Sequence, residues 1–224
     1  MNFAIILAAG RGQRFGGLKQ FLMVNKKPLI YYSIVKFNRS PFVDKIILVT
    51  LQEKINYLKM LASKYQLNKT QAVIAGGKER QDSVYNALKL LPDNGYVAIH
   101  DAVRPLVSLS LIKKGFLLVK KHRACIPVLP IYDTVKEVKN HRVIKTLERS
   151  QLYYVQTPQF FEIALLKKAY AHAYKQNIYQ TDDAGIVEFL GTPVFTFEGE
   201  KTNIKITEKN DLIIIKKLCQ KELQ

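Results

Sequence analysis

The chain has 224 residues, and 48% of them are hydrophobic, which is enough for a large core and excludes an intrinsically disordered protein. Its 35 lysine and arginine residues against 18 aspartate and glutamate residues give a net charge of +17, so the chain attracts anions such as nucleic acids and phosphorylated metabolites. The two cysteines, Cys125 and Cys219, have neither a CxxC spacing nor a nearby histidine, which favours buried reduced thiols over a disulfide or a metal site.

The chain opens with seven apolar residues, 3–9, that continue directly into glycine and arginine. No charged region precedes this run, and the run is too short to cross a bilayer. We therefore expect neither a signal peptide nor a membrane helix, and a soluble protein of the cytoplasm.

Short β-branched runs alternate with longer amphipathic segments along the chain. Strands are predicted for residues 2–7, 45–50, 71–74, 96–100, 124–129 and 194–197. Helices are predicted for residues 28–38, 52–65, 79–91, 108–121, 161–176, 182–189 and 207–219. The alternation and the nearly continuous apolar strands predict an α/β fold, with a mainly parallel sheet covered by helices on both faces.

A basic, glycine-rich loop, residues 7–19, follows the first predicted strand. It contains four glycines and three cations, which are Gly10, Gly12, Gly16, Gly17, Arg11, Arg14 and Lys19. Glycines let the backbone approach a ligand and turn its N–H groups inward, and no acidic residue occurs before Asp44. The loop is therefore predicted to bind a polyphosphate.

Two common phosphate-binding formulas do not describe this loop. A dinucleotide fingerprint requires GxGxxG, but Phe15 stands at the third glycine position, and the acid expected about twenty residues later is missing. A P-loop requires GxxxxGK followed by Ser or Thr, but Leu18 follows Gly17. These mismatches favour a loop for nucleotidyl transfer, in which positioning and charge stabilisation supply most of the catalysis.

Two other candidate segments also follow predicted strands. Gly76 and Gly77 follow the third strand, and Asp101 follows the fourth. In open α/β sheets, ligands bind beyond the carboxyl ends of the strands, so these residues are expected beside the glycine-rich loop. His100, at the end of its strand, is expected to be structural.

The segment from Asp133 to Arg149 interrupts the strand–helix alternation. Two alternating runs flank a polar turn, which predicts a β-hairpin too polar to be central in the sheet. An isolated hairpin is marginally stable in water, so this arm, residues 131–152, is expected to pack against a second subunit. We therefore predict one domain, residues 1–224, with a protruding β-arm for dimerisation.

Seven segments carry a resemblance to a known family. They comprise residues 7–22, 76–84, 100–105, 133–136, 156–161, 181–183 and 203–207. These segments, and their order along the chain, resemble those of sugar-nucleotide and alditol-phosphate nucleotidyltransferases. More narrowly, they resemble the 2-C-methyl-D-erythritol 4-phosphate cytidylyltransferases of non-mevalonate isoprenoid synthesis. The resemblance implies a three-layer α/β/α Rossmann-like nucleotidyltransferase fold and transfer of CMP from CTP to methylerythritol phosphate, with loss of pyrophosphate.

The resemblance also implies roles for individual residues. The implied catalytic cations are Arg14, Lys19 and Lys205. The implied nucleotide-binding residues are Leu7, Ala8, Ala9, Gly10, Arg11, Gly12, Gly77, Ser83 and Asp101. The implied acceptor-binding residues are Arg104, Thr134, Arg149, Thr157 and Thr181.

Thr134 and Arg149 lie at the two ends of the arm, so the resemblance implies that they enter the active site of the other subunit of a homodimer. It also implies that Mg²⁺ or another divalent cation binds the CTP phosphates. Asp101 offers an oxygen ligand of a type that suits this cation, and the alternative for this residue is a loop hydrogen bond or a helix cap.

No general base is needed, because a phosphate nucleophile is already deprotonated near neutral pH. Lys78 stands where the family commonly has an acid, which leaves the ribose contact there open. Asp82 is expected at a helix start, and Asp182 and Asp183 are expected to cap the helix that follows them, rather than to act as ligands.

Two other functions are considered. A ribitol 5-phosphate cytidylyltransferase would share the loop and the 203–207 segment, although residues 8–10, Ala-Ala-Gly, favour methylerythritol phosphate. A nucleic-acid-binding protein would use the charge of +17, but the lysine pairs 113–114, 120–121 and 216–217 lack interleaved aromatic residues and are typical of solvated helix faces. We expect no specific nucleic acid partner.

Overall fold

The computed structural model describes residues 1–12, 15–208, 210–213 and 215. Its strands are β1 Asn2–Ala8, β2 Met23–Val24, β3 Lys27–Pro28, β4 Lys45–Thr50, β5 Thr70–Ala75, β6 Tyr96–Asp101, β7 Ala124–Pro130, β8 Lys136–Lys139, β9 Arg142–Thr146, β10 Tyr153–Val155, β11 Gln159–Glu162 and β12 Phe195–Glu198. Its helices are α1 Leu29–Arg39, α2 Ile55–Lys64, α3 Arg80–Leu88, α4 Leu109–His122, α5 Ile163–Lys175 and α6 Asp183–Phe189. The last predicted helix, 207–219, lies only partly within the described residues, where 211–213 and 215 are helical.

The main sheet has the strand order β10-β7-β11-β6-β1-β4-β5, and β12 pairs with β7. Strands β6, β1, β4 and β5 are mutually parallel, as are β7 and β12. Strands β10 and β11 run antiparallel to β7, and β11 also pairs antiparallel with β6. The sheet is therefore mainly parallel, as predicted, with an antiparallel insertion beside its centre.

Alternate residues of the central strands pack on opposite faces of the sheet, as the period of a strand requires. Ile5 belongs to a buried cluster with residues of α3, α5 and α6, whereas Ile6 belongs to a second cluster with residues of α1, α2 and α4. Both side chains are fully buried. The predicted three-layer α/β/α architecture is confirmed.

Strand β11 corrects the predicted helix 161–176. Residues 159–162 form a strand, and α5 begins only at Ile163. Phe160 packs in the cluster with α1, α2 and α4, and Phe161 packs in the opposite cluster, so both faces of this strand are apolar. A short strand buried on both faces has no alternation that would distinguish it from the start of a helix.

The predicted hairpin is present as β8 and β9, which form a separate two-stranded sheet. Every residue of both strands is exposed. Three of these residues are apolar and more than half exposed, namely Val138, Val143 and Ile144.

Among the described residues, no helix is both long and apolar enough to cross a membrane.

Candidate active site

The carboxyl ends of the central strands bring the predicted segments together. Leu7 of β1 pairs with Asp101 of β6, and Ala8 pairs with Thr50 of β4, which in turn pairs with Ala75 of β5. The glycine-rich loop, the Gly76–Gly77 segment and Asp101 therefore emerge side by side. Their predicted juxtaposition at this edge of the sheet is confirmed.

The glycine-rich loop turns sharply at Gly12. Its φ is +63°, and its carbonyl oxygen accepts hydrogen bonds from the N–H groups of Phe15 and Gly16 at 2.9 and 3.0 Å. The buried Gln20 amide donates to the carbonyl oxygens of Ala8 and Gly10, both at 2.8 Å. The loop is thus folded back on itself and tied to the end of β1. Arg14, a predicted catalytic cation, lies outside the described residues.

Gly76 makes the closest approach between the loop and the next segment. A Cβ atom on Gly76 would lie 2.4 Å from the Cβ of Ala9 and 2.7 Å from the Oγ of Ser83, so a larger residue would displace one of these chains. The Gly77 N–H donates to the Ser83 hydroxyl at 3.0 Å. Ala9, Gly77 and Ser83, to which the resemblance assigns the nucleotide, therefore lie close together.

Asp101 is the centre of a charged cluster. Its Oδ2 lies 2.7 Å from the Nζ of Lys205, and its Oδ1 lies 3.4 Å from the Nε of Arg80. Burial by itself would raise the pKa of Asp101, but the charges of Arg80 and Lys205 outweigh burial and hold this pKa well below its usual range. Asp101 is therefore an anion at physiological pH.

Arg80 continues this cluster into the core. Its Nη2 lies 2.8 Å from the Oδ2 of Asp183, which is fully buried. The hydroxyl of Tyr170 donates to the other oxygen of Asp183 at 2.6 Å. This contact corrects one prediction, because Asp183 is a buried counter-ion rather than a helix cap. Asp182 does cap α6, accepting from the N–H of Gly185 at 3.0 Å.

Asp82 stands in the first turn of α3, as expected. The capping residue of this helix is Glu79, whose N–H donates to the Asp82 carboxylate at 2.9 Å. This reciprocal pair satisfies backbone groups that a helix start leaves without partners.

Lys19 and Lys205 lie on two segments of the chain that pack together. The Nζ of Lys19 lies 5.9 Å from the centre of the Phe15 ring. Phe15 in turn belongs to a buried cluster with Ile206, the neighbour of Lys205. Two predicted catalytic cations from opposite ends of the chain thus lie on segments that share one apolar cluster.

A cavity of about 400 Å³ opens beside Asp101 and Lys205. It is lined by Arg80, Asp101, Arg104, Ile126, Val155, Gln156, Thr157, Gln159, Thr181, Asp182, Ala184, Glu188 and Lys205. Three predicted acceptor-binding residues, Arg104, Thr157 and Thr181, are therefore brought together with the charged cluster. Most of the lining residues are of polar or charged types, as suits an ionic substrate.

Arg104 is held rigidly in the wall of this cavity. Its two terminal nitrogens donate to the carbonyl oxygens of Asn203 and Val155, at 2.8 and 3.3 Å. Its buried Nε has no hydrogen-bond partner among the described residues. Each terminal nitrogen keeps a second N–H group, so this fixed guanidinium is suited to a phosphate or polyol oxygen.

The hydroxyl of Thr157 makes two hydrogen bonds inside the protein. It accepts from the N–H of Asp101 at 3.1 Å and lies 3.2 Å from Nδ1 of His100, whose Nε2 lies 3.1 Å from the carbonyl oxygen of Arg104. Because a carbonyl oxygen only accepts, this network assigns the proton to Nε2. Burial lowers the pKa of His100 to about 4, so the ring is neutral. His100 thus has a structural position, and Thr157 contributes to it.

Thr134 and Arg149 lie apart from the other acceptor-binding residues. Both are exposed on the arm, and neither belongs to the cavity lining of its own chain. Nη1 of Arg149 donates to the carbonyl oxygen of Tyr132 at 2.8 Å, which joins the two ends of the arm.

Sequence reasoning did not single out Arg80 or the buried glutamines of this region. Gln156 donates to the carbonyl oxygens of Glu200 and Asn203 at 2.9 and 3.2 Å, and so anchors the segment that leads to Lys205. Arg80 lies within a segment that carried the resemblance. The position of this basic residue, directly after Glu79 at the start of a predicted helix, is the sequence feature that could have indicated a role for it in the site.

The chain is similar to known proteins over nearly its whole length. The family model described as 2-C-methyl-D-erythritol 4-phosphate cytidylyltransferase matches residues 2–221. A curated relative with that name, from Dictyoglomus thermophilum, is 42% identical over 97% of this chain and 96% of its own. A solved 4-diphosphocytidyl-2C-methyl-D-erythritol synthase from Anaerococcus prevotii has a TM-score of 0.85 and 30% identity, covering 98% of both chains. The solved cytidylyltransferase from Francisella tularensis has a TM-score of 0.82 and 34% identity, covering 96% of this chain and 97% of its own.

Proposed function

Because the chain belongs to the 2-C-methyl-D-erythritol 4-phosphate cytidylyltransferase family, we propose that it transfers CMP from CTP to 2-C-methyl-D-erythritol 4-phosphate. An oxygen of the acceptor phosphate attacks the α-phosphorus of CTP, the bond from this phosphorus to the bridging oxygen breaks, and pyrophosphate leaves. The product is 4-diphosphocytidyl-2-C-methyl-D-erythritol, an intermediate of isoprenoid precursor synthesis. The observation that carries this proposal is the cavity in which Arg104, Thr181 and Lys205 meet beside the glycine-rich loop.

The nucleotide half of the proposed site is formed by backbone as much as by side chains. Residues 7–12, with Gly77 and Ser83, surround the region where the strand ends converge. Here backbone N–H and C=O groups can read the edge of the base, and the glycine-rich loop would hold the phosphate groups. Arg11 adds positive charge to this loop.

Lys19 and Lys205 are the proposed cations for the triphosphate, together with Arg14. Charge builds on the phosphate oxygens as the α-phosphorus is attacked, and fixed cations stabilise this charge most effectively where water is excluded. The 2.7 Å contact between Lys205 and Asp101 supports this role, because it holds the ammonium group at the mouth of the cavity.

Asp101 is the proposed protein ligand for Mg²⁺ or another divalent cation. Among the described residues, no group of three or more histidine, cysteine, aspartate or glutamate residues could hold a metal by itself. A single ionised carboxylate nevertheless fits Mg²⁺, which is commonly held by one or two carboxylates and substrate phosphates. When bound, the cation would neutralise charge on the triphosphate, and the protein's part is to keep Asp101 ionised and fixed.

The acceptor half of the proposed site needs no general base. Its phosphate is deprotonated near neutral pH, and His100 is buried, neutral and engaged on both ring nitrogens. Arg104 and Thr181 would bind the acceptor directly. Thr157 would contribute from the wall, where its hydroxyl also holds Asp101 and His100.

A homodimer with exchanged arms is part of the proposal. The arm exposes Val138, Val143 and Ile144, and exposed apolar side chains on a two-stranded sheet favour association with another surface. Thr134 and Arg149 would then reach the active site of the partner. We also propose a cytoplasmic location, which the buried free thiol of Cys125 supports, because disulfides are rare in that compartment.

Measurement of pyrophosphate release with a panel of substrates tests the proposed reaction. The purified protein is incubated with CTP and Mg²⁺, and with either 2-C-methyl-D-erythritol 4-phosphate or ribitol 5-phosphate. We expect turnover of the methylerythritol substrate and at least about a hundredfold lower kcat/KM with ribitol phosphate, because rejected polyols leave buried polar groups unpaired. Turnover of ribitol phosphate alone would overturn the choice of acceptor. Salt-sensitive binding of DNA or RNA without any pyrophosphate release would overturn the enzymatic assignment.

A further inference from the structure

The first turn of α3 contacts two parts of the candidate site at once. Three consecutive side chains of this turn, Arg80, Gln81 and Asp82, reach the end of α5, the α5–α6 loop (residues 176–182) and the start of α6. Arg80 binds Asp183, and Asp82 accepts from the hydroxyls of Tyr174 and Tyr179 at 2.6 and 3.4 Å. The hydroxyl of the next residue along the helix, Ser83, accepts from the N–H of Gly77.

Gln81 makes the most specific of these contacts. Its side-chain nitrogen donates to the carbonyl oxygen of Ile178 at 3.0 Å, and its side-chain oxygen accepts from the N–H of Gln180 at 3.0 Å. Gln81 is 2% exposed, so both polar ends of a buried amide are satisfied by the backbone of one loop. The two contacts fix the loop on both sides of Tyr179.

Gln159 holds the other end of the same loop. Its amide oxygen accepts from the N–H groups of Asp183 and Ala184 at 3.1 and 3.2 Å, and its nitrogen donates to the Asp182 carboxylate at 2.7 Å. Thr181 is therefore the residue between two anchored neighbours, Gln180 and Asp182. Its side chain is exposed and lines the cavity.

We propose that Gln81 is a positioning residue for the acceptor, because it fixes the α5–α6 loop so that Thr181 faces the cavity. This inference rests on the proposed function, in which Thr181 binds 2-C-methyl-D-erythritol 4-phosphate. Since Gln81 and Ser83 belong to the same helical turn, the segment around Gly77 that faces the nucleotide and the loop that faces the acceptor share one rigid support.

Replacement of Gln81 by methionine tests the proposal. Methionine has a similar length and fills the buried space, but it makes neither hydrogen bond. We expect Q81M to raise KM for 2-C-methyl-D-erythritol 4-phosphate about tenfold, the effect of losing one or two ordering hydrogen bonds, with KM for CTP and kcat within about twofold of wild type. The matched control is Q71M, since Gln71 is exposed near the start of β5, at the far end of that strand from Gly76. Its kinetics are expected to be those of wild type.

A double-mutant cycle separates positioning of Thr181 from a general effect on the fold. In a T181V background, adding Q81M is expected to raise KM for the acceptor by less than about twofold, because the contact that Gln81 supports is already lost. Multiplicative effects of the two changes would overturn the proposal, as would an unchanged acceptor KM in Q81M or an equal rise of KM for both substrates. If Q81M does not fold, Q81L takes its place, since leucine also fills the buried space and makes neither hydrogen bond; a rise of the same acceptor-selective kind is expected.

Amide hydrogen exchange gives a measurement that does not depend on turnover. The N–H of Gln180 is expected to exchange faster in Q81M than in wild type, with exchange unchanged in Q71M. Unchanged protection of Gln180 would overturn the positioning role itself. If Gln180 exchanges faster in Q81M but the wild-type protein does not turn over 2-C-methyl-D-erythritol 4-phosphate, the proposed function is refuted. The contact between Gln81 and the loop would then still be established.

Discussion

Replacement of Lys205 by alanine separates catalysis from folding. The Lys205 ammonium group lies 2.7 Å from the Asp101 carboxylate, but its side chain is 41% exposed, so solvent weakens this ion pair. Asp101 keeps its contact with Arg80 at 3.4 Å after the change. We therefore expect the free energy of unfolding to fall by only about 1 kcal/mol. The rate should fall far more, because a cation aimed at developing phosphate charge is commonly worth about a hundredfold to a thousandfold.

The assay measures pyrophosphate release at saturating CTP and acceptor, with urea unfolding of the same preparations. Lys201→Ala is the matched control, because Lys201 is exposed in the same segment and lies over the Tyr132 ring rather than beside Asp101. Turnover of Lys205→Ala within about threefold of the control would refute the catalytic role. A loss of folding equal to the loss of activity would refute the separation of the two effects.

Three further predictions concern His100, Thr157 and the arm. The pKa of His100 is lowered to about 4 by burial, so the unfolded chain binds a proton more readily; the resulting stability is present above about pH 6.5 and is lost as the pH falls toward 4. Urea unfolding should therefore give a free energy of unfolding about 2 kcal/mol lower at pH 5 than at pH 7 because of this group. If a His100→Gln variant shows the same decrease between pH 7 and pH 5, His100 is not its source. Thr157→Val should lower the free energy of unfolding by about 1–3 kcal/mol and should also slow turnover, because the N–H of Asp101 loses its acceptor. A Thr157→Val variant as stable as wild type would contradict this hydrogen-bond network. Changing Val143 and Ile144 together to aspartate should give a monomer by light scattering and at least about a tenfold loss of kcat/KM, and a fully active monomer would exclude arm exchange.

The parallel strands and their helices could be predicted closely from the sequence because each has a local signal. Strand β4 has the predicted bounds, and β1 and β6 each extend one residue further than predicted. Strand β11 has no such signal. Phe160 and Phe161 are buried on opposite faces and run directly into α5, so only the pairing with β6 and β7 decides between strand and helix.

The candidate site also has parts that local sequence signals predict and parts that depend on how distant elements pack. The glycine-rich loop and Asp101 follow predicted strands, and the topology of a parallel sheet brings them together. The ion pairs are a different matter: Arg80 and Asp183 are separated by 103 positions, and their contact depends on how α3 packs against α6. The position of Asp183 in the sequence favours a helix cap, whereas in the structure its two carboxylate oxygens accept from Arg80 and Tyr170 instead.

Phosphorus NMR of the reaction mixture is the most direct test of CMP transfer, because it identifies which phosphorus atoms become joined. With CTP, Mg²⁺ and 2-C-methyl-D-erythritol 4-phosphate, we expect two new mutually coupled diphosphate signals in equal amount to pyrophosphate, while the acceptor's monophosphate signal declines. Release of free CMP with an unchanged acceptor signal, or of inorganic phosphate from the γ position, would contradict it.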